Sequence, residues 1–226
     1  MDPLQLRENE IFSTLKRLKR YKFVVIGGYA VNAYTLPRFS VDCDIVVADG
    51  TESSRIGKVL LGLGYKNIKH DANSSAKFVR YDKTIADSFK VSLDILIGAV
   101  LDRQTNVYIS ANWVFKNSRI KLLKGKTIVE KLRVRIVDSD ALFVMKMISC
   151  RSTDIRDIFM IAPIIEDRNW IREEISSRYN LDDRLRKVKA AVSSTDFRNG
   201  LQSVYGLIDD QTFKKSMKAI DSLDSF

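Results

Sequence analysis

The 226-residue chain carries 38 Lys and Arg against 28 Asp and Glu, a formal net charge of +10, with one histidine and two cysteines. Its 45% hydrophobic content excludes a disordered chain and suffices for the core of one domain or two small ones. Cys43 and Cys150 cannot build a disulfide scaffold or a structural zinc site, and His70 alone supplies neither a histidine metal site nor a Ser–His–Asp triad. Any metal chemistry must therefore run on carboxylates.

The N-terminal MDPLQLRENEIF is charged and lacks the apolar run of a signal peptide. The apolar stretches at Phe23–Ile26 and Val91–Val100 are too short to span a bilayer, so the expectation is a soluble, cytoplasmic protein with no membrane partner. The positive balance suits an anionic partner, but equally a merely solvated surface.

In chain order, residues 4–20 have the period of an amphipathic helix, with Leu4, Ile11, Leu15 and Leu18 on one face. Phe23–Ile26 reads as a buried strand ended by Gly27-Gly28, and Tyr29–Tyr34 as a short helix stopped before Pro37. Val41–Val47 is a β-branched run in which Asp42 and Asp44, two apart, point to one face while Cys43 points to the other, into the core. Residues 52–63 form an amphipathic helix closed by Gly64. Phe78–Tyr81 and Phe89–Ile97 read as strands joined by a polar turn around Asp82-Lys83. In the second, Val91, Leu93, Ile95 and Ile97 share one face, and Ser92, Asp94 and Leu96 the other. Residues 107–137 mix short strands and turns, with a hairpin turn at Gly125-Lys126. Ser139 is placed to cap a helix over Ala141–Cys150, and helical periodicity continues to Phe226 with breaks near Pro163, Asn180 and Asn199-Gly200. The pattern is thus α/β (α+β): a mixed sheet over 1–137, then a helical portion over 138–226.

The chemistry concentrates in the glycine turn and the aspartates. Two same-face carboxylates plus Asp94 from a neighbouring strand can hold Mg²⁺ or Mn²⁺ through oxygen ligands, and such ions clamp the oxygens of a phosphoryl displacement. The Gly-Gly backbone can approach a phosphate closely, with the next helix presenting free N–H groups. Each part has a plainer reading. Gly-Gly can be only a turn, Asp-x-Asp a pair of edge carboxylates, and Asp94 the partner of a buried arginine. An unpaired carboxylate among apolar residues is costly, so Asp94 is harder to set aside, and its position on an alternating strand favours it over the nearby rivals Asp82, Asp87 and Asp102.

Val25-Ile26-Gly27-Gly28, thirteen residues, then Asp42-Cys43-Asp44-Ile45 resembles the signature of the nucleotidyltransferase superfamily, which has the DNA polymerase β-like fold. Arg38-x-Ser40-x-Asp42-x-Asp44 looks most like the AbiEii-type nucleotidyltransferase toxins. Ser139-Asp140-x-Leu142, Lys146, Arg151 and Arg156-Asp157-Ile158 resemble that branch's second block. The resemblance implies a nucleotidyltransferase-type mixed sheet flanked by helices, with residues 138–226 as the other wall of a cleft. It implies Asp42, Asp44 and Asp94 as metal ligands, the last also helping to deprotonate the acceptor hydroxyl. It implies that Gly27, Gly28 and nearby backbone hold the triphosphate and that Arg38 and Ser40 also serve nucleotide binding, with Lys146 neutralising phosphate charge and Asp157 joining the site. Tyr29 stands where many members have a small residue. The implied activity is transfer of NMP from an NTP (ATP among them) to an acceptor hydroxyl on tRNA or protein, releasing pyrophosphate, with an antitoxin as partner. A non-catalytic nucleic-acid- or partner-binding module, or a transferase acting on a small antibiotic-type molecule, are the alternatives.

Residues 116–135 hold Lys116, Arg119, Lys121, Lys124, Lys126, Lys131, Arg133 and Arg135 against the single acid Glu130. With Tyr108, Trp113 and Phe115 for stacking, this segment is a candidate platform for tRNA or another nucleic-acid acceptor. A lysine-rich solvent face of a twisted hairpin is the plainer reading. His70 reads as a loop residue without a role.

Overall fold

The computed structural model describes residues 2–68, 77–86 and 89–225, so His70 and Asp87 lie outside the described residues. The chain divides into two compact units: Met1–Ala33, Pro37–Leu101 and Tyr108–Val137 form the first; Tyr34–Leu36, Asp102–Val107 and Asp138–Phe226 the second. Among the described residues no helix is long and apolar enough to cross a membrane.

The first unit opens with α1 (Pro3–Arg17), whose N-terminus is capped by the Asp2 carboxylate accepting from the Leu4 N–H. Pro3 sits in the first turn, where its missing donor costs nothing. There follow β1 (Val24–Val25), α2 (Gly27–Val31), β2 (Asp42–Val47), α3 (Gly50–Gly62), β3 (Lys66–Ile68), β4 (Phe78–Ala86) and β5 (Phe89–Ile97). Then come β6 (Ala99–Asp102) and β7 (Val107–Ser110), a separate two-stranded sheet, with α4 (Ala111–Lys116), β8 (Ser118–Leu123) and β9 (Leu132–Val137). The main sheet has seven strands in the order β3-β4-β5-β2-β1-β9-β8. Its mixed character comes from parallel β2–β5 and β1–β9 pairs among antiparallel neighbours.

Register fixes the two faces. Tyr81, Leu93 and Cys43 lie in one row across β4, β5 and β2, and this face is covered by helices. Tyr81 meets Gly57 of α3, and Lys83, two residues on, pairs with Glu10 of α1 at 2.8 Å. Ile11, Leu15, Ile56 and Leu60 of the helices and Cys43, Ile45, Leu93 and Ile95 of the strands are all buried. The opposite face carries the row Arg80, Asp94, Asp44. Period-2 alternation thus separates an apolar core face from a charged one.

Several expectations are corrected. β4 runs straight through Asp82-Lys83 as far as Ala86, paired with Phe89, because Asp82 accepts from the Ser92 hydroxyl (2.9 Å) and Lys83 is held by Glu10. The short helix begins at Gly27 and ends at Val31. β8 and β9 do pair as a hairpin, but residues 124–131 form a longer connection than a tight turn at Gly125-Lys126. Buried Glu8 pins it by accepting from the N–H groups of Lys126 (2.6 Å) and Thr127 (2.8 Å) and the Thr127 hydroxyl (2.7 Å). Three elements escaped the sequence reading, β3, β6 and α4, the last capped by Ser110.

The second unit is helical: α5 (Ser139–Ser149), α6 (Ser152–Ile161), α7 (Arg168–Ser176), α8 (Leu181–Val192), α9 (Phe197–Tyr205) and α10 (Asp210–Asp221). Phe143, Met147, Ile158, Phe159, Ile171, Val188, Leu201 and Ile220 are buried in it. Asp138, not Ser139, holds the N-cap position of α5. Asp140 instead accepts from the N–H groups of Glu166 and Asp167. Pro163 lies in a 3₁₀ turn and Asn180 caps α8. Asn199-Gly200 does not break the chain but lies within α9, where the Gly200 carbonyl accepts from the Arg156 guanidinium (3.2 Å).

Candidate metal centre

Asp42 and Asp44 alternate with buried Cys43 on β2, and Asp94 is Asp44's direct partner on the parallel strand β5. The result is a cluster in which one carboxylate oxygen from each of Asp42, Asp44 and Asp94 lies within 4.8 Å of the others. Asp94 is 7% exposed, while Asp42 and Asp44 are half-buried. Burial, with Asp44, Asp42 and Asp94 adding to it, pushes the Cys43 thiol well above its usual range, so it stays protonated as a small core residue.

The glycine turn is built against this cluster. Gly27 has φ +63°, and a Cβ there would stand 2.1 Å from Asp44 Oδ2, so only glycine lets the backbone pass this close to the carboxylate. The next residue is equally tight: a Cβ on Gly28 would stand 2.3 Å from Ser40 Oγ and 3.1 Å from Arg38 Nη2. The loop that presents Arg38 and Ser40 is tied to buried Asn32. Its amide donates to the Arg38 carbonyl (2.8 Å) and its oxygen accepts from the Arg38 N–H (3.0 Å). Tyr29 lies buried, its hydroxyl pushed well up by burial, which explains how a bulky residue follows the glycines.

Arg80 was not legible as a site residue. It stands opposite Asp94 on β4 and grips it with a fork, Nε to Oδ1 at 2.7 Å and Nη2 to Oδ2 at 2.6 Å. Nη2 also reaches Asp42 Oδ2 at 3.4 Å. Hydrogen bonding to Asp94 raises the guanidinium's already high pKa further against the opposing effect of burial, so Arg80 is always cationic. No local signal could have found it: Arg80 faces Asp94 only because the β4–β5 register shifts by one between Thr84 and Ala86, without which Ile95 would stand there.

The residues fit a divalent cation. Three hard oxygen donors converge, and positive charge already sits on two of them in the form of a guanidinium. Of the rival acids, Asp82 accepts from Ser92, while Asp102 accepts from Gln104 and Thr105 and pairs with Arg151 at 2.9 Å.

Lys146 and Asp157 belong to the second unit. The Lys146 ammonium donates to Asp154 Oδ1 (2.6 Å) and pairs with Asp157 Oδ2 (2.9 Å), and Tyr205 donates its hydroxyl to Asp157 Oδ1 (2.6 Å). Burial alone would lower the ammonium's pKa, but the charges of Asp157 and Asp154 prevail and the net shift is upward.

The basic segment divides between the faces of the β8–β9 hairpin. Arg119 and Lys121 lie in the rows of Ile136 and Val134, while Arg133 and Arg135 oppose exposed Leu122 and Ile120 on the other face. Arg133 and Arg135, with Lys19, Lys22, Tyr21, Phe23 and Phe115, line an open groove of about 450 Å³. Neither Trp113 nor Tyr108 lines it.

No protein-family model matches the chain, and no curated protein does. Among solved structures it is similar to an H. pylori protein provisionally described as a nucleotidyltransferase, with TM-score 0.53 and 15% identity over 100% of this chain and 96% of that one. The lincosamide antibiotic adenylyltransferase LnuA, solved with lincomycin bound, aligns with TM-score 0.47 and 22% identity over 70% of this chain and 98% of that one. The first likeness establishes the fold: a mixed sheet flanked by helices of nucleotidyltransferase type.

Proposed function

We propose that the chain is a metal-dependent nucleotidyltransferase that moves a nucleoside monophosphate from an NTP to an acceptor hydroxyl, releasing pyrophosphate. The observation that carries this reading is the convergence of Asp42, Asp44 and Asp94 beside a glycine turn that tolerates no side chain, on a nucleotidyltransferase-type fold.

Asp42, Asp44 and Asp94 would hold Mg²⁺ or Mn²⁺. The bound metal supplies Lewis-acid stabilisation of the charge that develops on the phosphoryl oxygens. Asp94, the most buried of the three, orients the acceptor hydroxyl and takes its proton. The Gly27–Gly28 backbone lies along the phosphates, and Arg38, beside Gly28, supplies positive charge there with the Ser40 hydroxyl next to it. Lys146 and Asp157 enter the reading through the second sequence block, Lys146 as a phosphate-neutralising group.

The finer assignment is an AbiEii-type enzyme acting on tRNA or a protein side chain, with an antitoxin partner. It is supported by Arg38-x-Ser40-x-Asp42-x-Asp44 and by a cationic, aromatic-lined groove suited to a phosphate backbone. The test incubates the protein with each labelled NTP, Mg²⁺ or Mn²⁺, and total tRNA, lysate or small aminoglycoside- and lincosamide-type acceptors. Label reaches an acceptor with wild type and is abolished in Asp42→Ala/Asp44→Ala. Transfer undiminished by that double change refutes the mechanism, and label on a small molecule alone reassigns the acceptor.

A further inference from the structure

Arg80 spends its hydrogen bonds on the very carboxylates that the proposed activity needs. Among the described residues its hydrogen-bond partners are Asp94, through both oxygens, and Asp42. A fork closed on both oxygens of Asp94 occupies a lone pair on each and puts a unit positive charge within a few ångströms of the same seat. The side chain is 33% exposed. Nothing else among the described residues anchors the guanidinium, so it can leave Asp94 by side-chain rotation alone. A phosphate group offers it the same bidentate geometry with more negative charge.

We propose that Arg80 is a positioning residue that holds the cation seat of the triad until the phosphates of a nucleotide draw its guanidinium away, so that divalent cation and nucleotide load together. The inference rests on the reading of Asp42, Asp44 and Asp94 as metal ligands. No covalent step is involved: one set of charge-assisted hydrogen bonds is exchanged for another. With the fork closed, the triad binds a divalent cation weakly, and Asp94 is held in place but engaged. With the fork on a phosphate, all three carboxylates face the ion. By linkage, each ligand raises the affinity of the other by the same factor.

The experiment is a calorimetric titration of Mn²⁺ into wild type, Arg80→Met, Arg80→Lys and Asp42→Ala/Asp44→Ala, with and without a non-hydrolysable NTP analogue, folding being checked by circular dichroism. The expected result is that Arg80→Met binds Mn²⁺ without nucleotide on the order of tenfold more tightly than wild type, since a like charge has been removed from beside the ion. The nucleotide-induced gain in Mn²⁺ affinity is smaller in the variant than in wild type, which leaves only the part due to phosphate oxygens meeting the ion directly. Arg80→Lys keeps the charge but lacks the fork, and lies between the two. Arg80→Met binding Mn²⁺ no more tightly than wild type, or keeping the full nucleotide coupling, overturns the inference while leaving the metal site standing. If Arg80→Met does not fold, a folded Arg80→Lys with wild-type affinity and coupling overturns it in the same way. Mn²⁺ binding unchanged in Asp42→Ala/Asp44→Ala overturns the metal-site reading itself, and the Arg80 inference with it.

Discussion

Replacing Lys146 by methionine keeps the length of the side chain and removes one buried positive charge. In the native structure its ammonium lies 2.6 Å from Asp154 and 2.9 Å from Asp157, and its side chain is only 12% exposed. Asp157 is fully buried and Asp154 nearly so. After the change Asp154 retains the Ser149 hydroxyl (2.8 Å) and the Arg151 N–H (3.2 Å), and Asp157 retains the Tyr205 hydroxyl. These are neutral donors, and the buried ammonium that both carboxylates shared is gone. Breaking a buried pair in this way costs about 3–5 kcal/mol, which lowers the thermal midpoint by about 10 °C for a chain of this size. Guanidinium unfolding followed by circular dichroism measures the cost. The Lys146→Met/Asp154→Asn/Asp157→Asn triple variant recovers at least half of it, because the stranded charges are gone. A single variant that loses less than about 1 kcal/mol, or a triple variant no more stable than the single, refutes the electrostatic account. The pH dependence has a definite sign. The folded-state pKa of Lys146 is raised, so the pair's contribution is complete below the ordinary lysine pKa and is lost as pH climbs through the raised one. Wild type therefore loses stability in strong alkali and Lys146→Met lacks that component. Nucleotide affinity, measured well below the unfolding transition, reads the phosphate-neutralising role separately: a fall on the order of tenfold assigns Lys146 to the nucleotide as well.

Gly27→Ala meets both a left-handed backbone and Asp44 Oδ2, and is expected to destabilise by about 1–2 kcal/mol and to weaken Mn²⁺ binding. Gly62→Ala, which opens into free space within a helix, is the neutral or mildly stabilising control; equal effects of the two on Mn²⁺ binding would contradict the account of the turn. Glu8→Ala strands the N–H groups of Lys126 and Thr127, so residues 124–131 should loosen and trypsin should cut at Lys124 and Lys126 faster. An unchanged cleavage rate would mean that the loop is held by other groups. If the groove takes a phosphate backbone, Arg133→Ala/Arg135→Ala lowers the slope of log K against log salt for tRNA by roughly one for each phosphate no longer neutralised. An unaltered slope removes the groove from the acceptor path.

What the sequence determined follows from backbone geometry. Two-residue alternation in a strand places Asp42 and Asp44 on one face and Cys43 on the other, and it separates Asp94 from Leu93 and Ile95 in the same way. The glycine pair was readable because a turn that passes against side chains excludes Cβ, and the register then put Asp44 and Ser40 there. The fold class was readable because strand-like runs precede helical ones. What only the tertiary structure decided are pairings between segments far apart in sequence. Arg80 looks like any polar residue of a strand until β4 is seen to continue through Asp82-Lys83 and its register to shift between Thr84 and Ala86, which sets Arg80 against Asp94. The cations of residues 116–135 form one run in sequence, yet hairpin register sends Arg119 and Lys121 to one face and Arg133 and Arg135 to the other. Lys146 found its partners eight and eleven residues on, where α6 returns beside α5. Asn199-Gly200 reads as a breaker, but a helix held by buried Leu201 and Tyr205 outweighs the roughly 1 kcal/mol that a glycine costs. Local propensity is worth tenths of a kcal/mol per residue, whereas burial and charge pairing are worth several, so the long-range terms settle what the local ones leave open.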